Sequence, residues 1–183
     1  MRKATRPISS RPARRYGTGQ LSLVEHALCP LDSAESLREN ATFEYEYHYI
    51  DRSRHRRTAK ARVICPAGMS VTDELFLWGL LALTLSQPGA DNELHATPHF
   101  CLRRLGLIDQ HARRGGRQYQ QFADAVERLS LVRYRNDAFY DPIRAEHRRV
   151  SFGFFSYSLP LDPQSCRAWR IAWDPIFFEL VKA

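Results

Sequence analysis

The apolar pattern of this chain changes period twice along its length, from two to about 3.6 and back to two. Only a fold that sets helices between two sheet-forming regions accommodates that order. In Thr42 to Ile50 (TFEYEYHYI) aromatic residues alternate with polar ones, and Thr58 to Cys65 (TAKARVIC) alternates again before Pro66 halts it. The two runs predict an antiparallel hairpin with the basic DRSRHRR segment at its tip. Tyr45, Tyr47 and Tyr49 share one face of the first strand, and packing on a core accounts for them better than a platform for stacked bases.

Between the two regions lie three helical patterns. Ser70 and Asp73 have the spacing of a capping box before ELFLWGLLALTLSQ, an almost wholly apolar stretch predicted to be the central buried helix and stopped by Pro88 and Gly89. Its apolar run, Leu75 to Leu85, falls well short of the ~20 residues that cross a bilayer. Thr97 caps a second helix with Pro98 at its first position, placing Cys101, Leu102 and Leu105 on one face before Gly106 closes it. From Arg117 to Leu129, Phe122, Ala125, Val126 and Leu129 form a stripe at i, i+3, i+4 and i+7. Arg117, Gln120, Gln121, Asp124 and Arg128 then fall on the opposite, solvent-facing side. Strand-like runs follow at 131–140, 148–159 and 167–173, separated by Asp141-Pro142 and the Pro160 to Pro163 turn. The predicted order is hairpin, three helices, hairpin, strand, preceded by a short amphipathic piece from Leu21 to Leu31.

With 44% apolar residues among 183, the chain has material for a real core; its charge carries the functional information. Twenty-seven bases against 20 acids give +7, unevenly spread. Arg2, Lys3, Arg6, Arg11, Arg14 and Arg15 make residues 1–19 a basic tail, read as disordered. Residues 20–183 are then one domain, and its arginine clusters at 51–62 and 103–117 point to a polyanion partner.

Several chemistries are excluded by their missing motifs. Cys29, Cys65, Cys101 and Cys166 form no C-x-x-C pair and read as reduced, mostly buried thiols. His95, His99 and Cys101 come nearest to a metal motif, but Thr97 and Pro98 fall between the histidines as a cap and first turn and spoil the i,i+4 geometry. There is no His-x-His for a metal-assisted tyrosine nucleophile, no Walker spacing around Gly115-Gly116, and no G-x-S-x-G. The expectation is a binder rather than an enzyme, without a metal or other cofactor. The basic start is interrupted by Pro7, Ser9, Ser10 and Pro12, unlike a secretory signal, so a cytoplasmic, non-membrane protein is expected.

Three helices followed by a hairpin is the order of a winged helix, so the expected class is α+β: a helix-turn-helix variant with an additional N-terminal β-hairpin. The partner it implies is double-stranded DNA. On this reading Arg117, Gln118, Gln120 and Gln121 open the third helix toward base edges, with Arg113, Arg114 and Arg128 on phosphates. Arg144, His147, Arg148 and Arg149 supply the wing, and Arg54, Arg56 and Arg57 the first hairpin's contribution. Asp124 and Glu127 would repel phosphate, so only the first half of the helix is expected in the groove.

The tract RVSFGFFSYSLPLD (149–162) with SCRAWRIAWDPIFFEL (165–180) and the upstream FYDP (139–142) resembles the plasmid replication initiator protein A group, and GGRQYQQFADAVERLSLVRY (115–134) is similar to its helix-plus-strand segment. The resemblance covers about residues 20–181. It implies a winged-helix initiator domain that binds repeated sites at a plasmid origin and controls its own promoter; a homodimer and host replication proteins are the further partners expected. Initiators of this group continue into a second winged-helix half, whereas this sequence stops after Ile176, Phe177, Phe178, Leu180 and Val181, which are expected to pack on a missing domain or a second subunit. A winged-helix transcriptional regulator and a dimerisation module without sequence readout are the alternatives.

Overall fold

A computed structural model describes residues 28, 33–89, 91–108, 116–162 and 167–182. The described chain is α+β, with helices α1 (Ser33–Ser36), α2 (Val71–Leu85), α3 (Pro98–Arg104), α4 (Gly116–Leu131) and α5 (Pro175–Lys182). Strands β1 (Ala41–Ile50), β2 (Arg56–Cys65), β4 (Arg133–Asp141) and β5 (Glu146–Gly153) form one antiparallel sheet in the order β1-β2-β4-β5. Strands β3 (Glu93–Ala96), β6 (Phe155–Ser158) and β7 (Trp169–Trp173) form a second in the order β3-β7-β6.

The predicted first hairpin is present, paired from Ala41 opposite Cys65 to Ile50 opposite Arg56. The predicted second one goes elsewhere than expected. The β4–β5 pair joins β2 edge to edge, with Ala61 opposite Asn136 and Ile64 opposite Arg133. Phe43, Tyr45 and Tyr47 pack on the core as the alternation demands, and Tyr47 Oη donates to Asn136 Oδ1. Asn136 is itself buried and passes its Nδ2 to Tyr134 Oη at 2.9 Å. Although β1 and β5 are the outer strands, the Tyr49 and His147 rings lie 4.6 Å apart and Arg52 Nη2 reaches Glu146 Oε2 at 2.7 Å. The sheet is therefore coiled tightly enough to bring both hairpin tips together.

The run expected as one strand over 148–159 breaks at Phe154, where the chain leaves the first sheet for the second. Phe152, Phe154 and Phe155 are all buried, a spacing that no single strand can serve. The C-terminal apolar residues are a second correction. Asp174 Oδ1 accepts the Ile176 N–H at 2.9 Å and the Phe177 N–H at 3.3 Å, Pro175 follows the cap, and α5 drives Phe177, Phe178 and Leu180 into this chain's own core against Phe152, Phe154 and Trp173. Ile176 alone of the larger ones stays substantially exposed.

The capping box of α2 is present and carries more than its helix. Asp73 is 1% exposed; it takes the Ser70 N–H at 2.8 Å and returns its own N–H to Ser70 Oγ at 3.2 Å. Arg128 of α4 completes the shell, its Nε and Nη2 donating to the two carboxylate oxygens at 2.9 and 2.7 Å. Hydrogen bonding to Asp73 holds the guanidinium pKa above its usual value. Removing the arginine would strand a buried carboxylate, so Arg128→Ala should cost about 3 kcal/mol. At this chain length that lowers the thermal midpoint by roughly 6–12 °C in calorimetry.

An exposed pair ties the second sheet. Arg170 on β7, and then His95, hydrogen-bond Glu93 on β3 and hold its carboxyl down at about 2. A depressed carboxylate stabilises the fold above its unfolded value and loses that contribution as pH falls through the folded one. Wild-type stability should thus carry a component lost between about pH 4.5 and about pH 2 that Glu93→Gln lacks in acid-denaturation curves.

Candidate nucleic-acid interface

Helix α4 buries the stripe its sequence specifies, Phe122, Ala125, Val126 and Leu129. Phe122 meets Phe76 of α2 edge-on at 5.1 Å and stacks on Trp169 of β7 at 5.5 Å. Arg117, Gln120 and Gln121 consequently stand exposed on the first half of the helix, with Gln118 half-buried beside them. Gln120 Nε2 is engaged with Asp124 Oδ1 at 2.7 Å. Arg128 is turned inward onto Asp73, unlike the solvent-facing position expected of it.

Helix α3 precedes α4 and sets its approach. The Thr97 hydroxyl accepts the Phe100 N–H at 3.2 Å and Pro98 occupies the first turn. At the other end Gly106, with φ of 72°, lets its own N–H reach the Arg103 carbonyl at 3.1 Å and the Leu107 N–H reach the Leu102 carbonyl at 2.9 Å. This left-handed glycine cap leaves Arg103 and Arg104 exposed in the last turn, next to the helix's partially negative end. His99 Nδ1 and Tyr119 Oη are 2.7 Å apart and their rings stack at 11°, linking α3 to the start of α4. Arg103, Arg104 and Arg117 pair with no carboxylate among the described residues, so this part of the surface keeps its positive charge. The sequence reading marks the 103–117 cluster but begins its selection at Arg113. Gly106, legible as a helix stop, is the signal that Arg103 and Arg104 close α3 in solvent. Arg113 and Arg114 lie outside the described residues.

The other predicted arginines gather at the coiled end of the first sheet, at the tips of its two hairpins. Arg54 (φ 61°) and Ala145 (φ 51°) turn those tips in the left-handed conformation. Here most of the charge is already answered: Arg52 by Glu146, Arg57 by Asp51, Arg144 by Asp141 and Glu179, Arg148 by Asp141, and Arg149 by Asp137. His147 sits between the Tyr49 and Tyr140 rings, 4.6 and 5.3 Å away. Arg54 and Arg56 alone of this group have no carboxylate partner among the described residues. The hairpin expected to form a wing beside the third helix is thus built into the four-stranded sheet. The strand pair that follows α4 onto the smaller sheet is β6–β7, with its connection at 159–168.

The metal-like trio disperses. His95 lies 3.0 Å from Glu93, His99 contacts Tyr119, and Cys101 points into the core, where burial pushes its thiol up to about 12. Among the described residues no group of three or more His, Cys, Asp or Glu could hold a metal ion, and no helix is long and apolar enough to cross a membrane. Cys65 is buried as well. In a Cys29→Ser/Cys166→Ser variant, thiol titration of the native protein at pH 8 should run on the order of a hundred-fold slower than after unfolding.

No protein-family model matches the chain, and no curated protein matches it in sequence. Among solved structures it is similar to the crystal structure of RctB domains 2-3 (RctB-155-483), with a TM-score of 0.51 and 17% identity over 87% of this chain and 58% of that one. A crystal structure of selenomethionine derivatives of the same two domains gives a TM-score of 0.48 and 17% identity, over 75% of this chain and 52% of that one. The chain therefore spans a little over half the length of the first of these two-domain structures, and the likeness to it is one of fold.

Proposed function

We propose that this chain is a sequence-specific double-stranded DNA-binding protein that acts as a replication initiator at repeated origin sites and controls its own promoter. The observation that carries the reading is the exposed, uncompensated set Arg103, Arg104 and Arg117 with Gln121, gathered where α3 meets the first half of α4. The element order α2-β3-α3-α4-β6-β7, with the three strands in one small sheet, supports a winged-helix unit whose wing is the β6–β7 connection. The β4–β5 hairpin is then an insertion between α4 and β6, joined to the N-terminal hairpin in the four-stranded sheet. Two further observations support the initiator role: the resemblance of residues 139–180 to plasmid initiators, and the shared fold with domains of RctB, a bacterial replication initiator.

In this mechanism α4 enters the major groove by its N-terminal half. Arg117 and Gln121 carry the donors that read guanine and adenine edges, while Arg103 and Arg104 hold flanking phosphates. Asp124 and Glu127 repel phosphate and keep the second half of the helix out of the groove. The Asp73–Arg128 pair is a positioning device for α4 rather than a contact. Arg54 and Arg56 add a second, smaller positive patch on the coiled sheet. Binding, not catalysis, is the activity, with no cofactor, a homodimer as the acting form and host replication proteins as further partners.

Selection of bound duplexes from a random pool by the full chain should return a repeated motif. Arg117→Ala with Gln121→Ala should then cost about 1–3 kcal/mol at particular base pairs and relax preference there, while Arg103→Ala weakens all duplexes alike and flattens the salt dependence. An unchanged motif in the double variant would overturn α4 as the reading helix.

A further inference from the structure

We propose that the outward face of the large sheet is a second DNA contact, where Arg133, Arg135 and Ser151 hold backbone phosphates outside the motif that α4 reads. The proposal rests on the DNA-binding reading above and adds a separate surface to it.

Strand register brings these residues together. Glu44 of β1, Arg62 of β2, Arg135 of β4 and Ser151 of β5 are successive partners in one row across the sheet, so they share a face. In the next row Arg133 stands between Ile64 and Gly153, and the glycine leaves that flank of the arginine uncovered. Partners so placed have Cβ atoms roughly 5 Å apart and diagonal neighbours about 7–8 Å, so Arg62, Arg133 and Arg135 crowd one spot.

Their charge is only partly answered. Arg62 Nε donates to Glu44 Oε2 at 2.6 Å, and Asp137 lies between Arg62 at 3.9 Å and Arg149 at 3.7 Å. Arg133 and Arg135 are exposed and pair with no carboxylate among the described residues. Like charges directly opposite across two strands cost stability, and at exposed positions no packing repays it. Arg133 Nε donates to Ser151 Oγ at 3.3 Å, which leaves the serine its own proton to donate. Two guanidinium groups and a hydroxyl therefore stand ready for one anion.

The face suits a phosphate backbone better than a protein. Among the side chains of the two rows only Ile64 is apolar, and it is half-buried, whereas a protein interface needs a buried apolar anchor near its centre. Backbone contacts to DNA need donors and positive charge alone. Position selects flanking DNA. Strand β4 follows α4 after Val132, so Arg117 and Arg133 are separated by the length of the helix, roughly 24 Å at 1.5 Å per residue. That is less than the roughly 34 Å of one duplex turn, yet beyond the base pairs that the first half of α4 spans.

The test compares the full chain on its selected motif with no flank and with about fifteen base pairs on each side, roughly a turn and a half. The wild type should bind the flanked duplex about ten- to a hundred-fold more tightly and with a steeper salt dependence. Arg133→Ala with Arg135→Ala should select the same motif but bind both duplexes alike, its salt slope on the flanked one reduced by about two; Arg133→Lys with Arg135→Lys should keep the slope. Arg135→Ala alone should keep or raise the melting temperature, because it removes the charge opposite Arg62. An undiminished flank gain in the double alanine variant would overturn this contact and leave α4 as the reading helix. So would a lower melting temperature in Arg135→Ala, since the arginine would then serve the fold, or lost self-association with the flank gain intact, since the row would then meet a protein carboxylate. Failure of the wild type to bind any duplex would overturn the DNA-binding reading and this contact with it.

Discussion

Phe122 sits where three elements meet, edge-on to Phe76 of α2 and face to face with Trp169 of β7, and it is 1% exposed. An aromatic ring in such a position contributes through burial and through two ring pairs, so α2, α4 and the small sheet cannot shift independently. Asp73, one turn before Phe76 on α2, and Arg128, farther along α4 than Phe122, fasten the same helix pair with a bidentate bond whose geometry tolerates little rotation. One contact is apolar and non-directional, the other polar and directional. Together they fix which residues of α4 look outward, which is why Arg117 and Gln121 are exposed and Arg128 is not.

Charge is distributed by the same logic. At the coiled end of the large sheet the arginines face acids on neighbouring strands and turns, and most of the local positive field is cancelled. Exposed pairs of this kind contribute little stability each, but a network of them keeps two hairpin tips in register. In the last turn of α3 and the first turn of α4 the arginines have no carboxylate paired with them among the described residues, and the field survives. Counting bases along the sequence weights both clusters equally; only their neighbours in space separate them.

What the sequence makes legible follows from local rules, and what it hides follows from non-local ones. The Ser70 capping box, the Thr97-Pro98 start of α3, the Gly106 stop and the stripe of α4 are set within a few residues, and each is found in place. The pairing of β4 with β2 joins residues about seventy positions apart and leaves no local trace. Strand β3 is too short, at four residues, to show a period. Helix α5 does carry a local signal: Asp174-Pro175 repeats the cap-and-proline pattern of Thr97-Pro98, but its dense apolar residues point equally to an interface. Arg128 departs from its expected place because a helical wheel assigns a side, and a side chain as long as arginine can reach back from that side to a buried acid.

The displaced hairpin has the largest consequence. Strand order along the chain suggests that the hairpin after α4 stands beside it, yet that hairpin continues a sheet begun before α2, and the chain returns to α4 only through Phe154 and β6. The polypeptide thus weaves two sheets through one core, with Phe152 and Phe154 on either side of the crossing and Phe177 packed against both. Such interleaving makes the large sheet and the helical unit a single cooperative body, since neither can open without exposing those rings. A load applied at α4 and one applied at the hairpin tips would therefore act on one rigid frame, because the rings at the crossing transmit displacement of either element to the other.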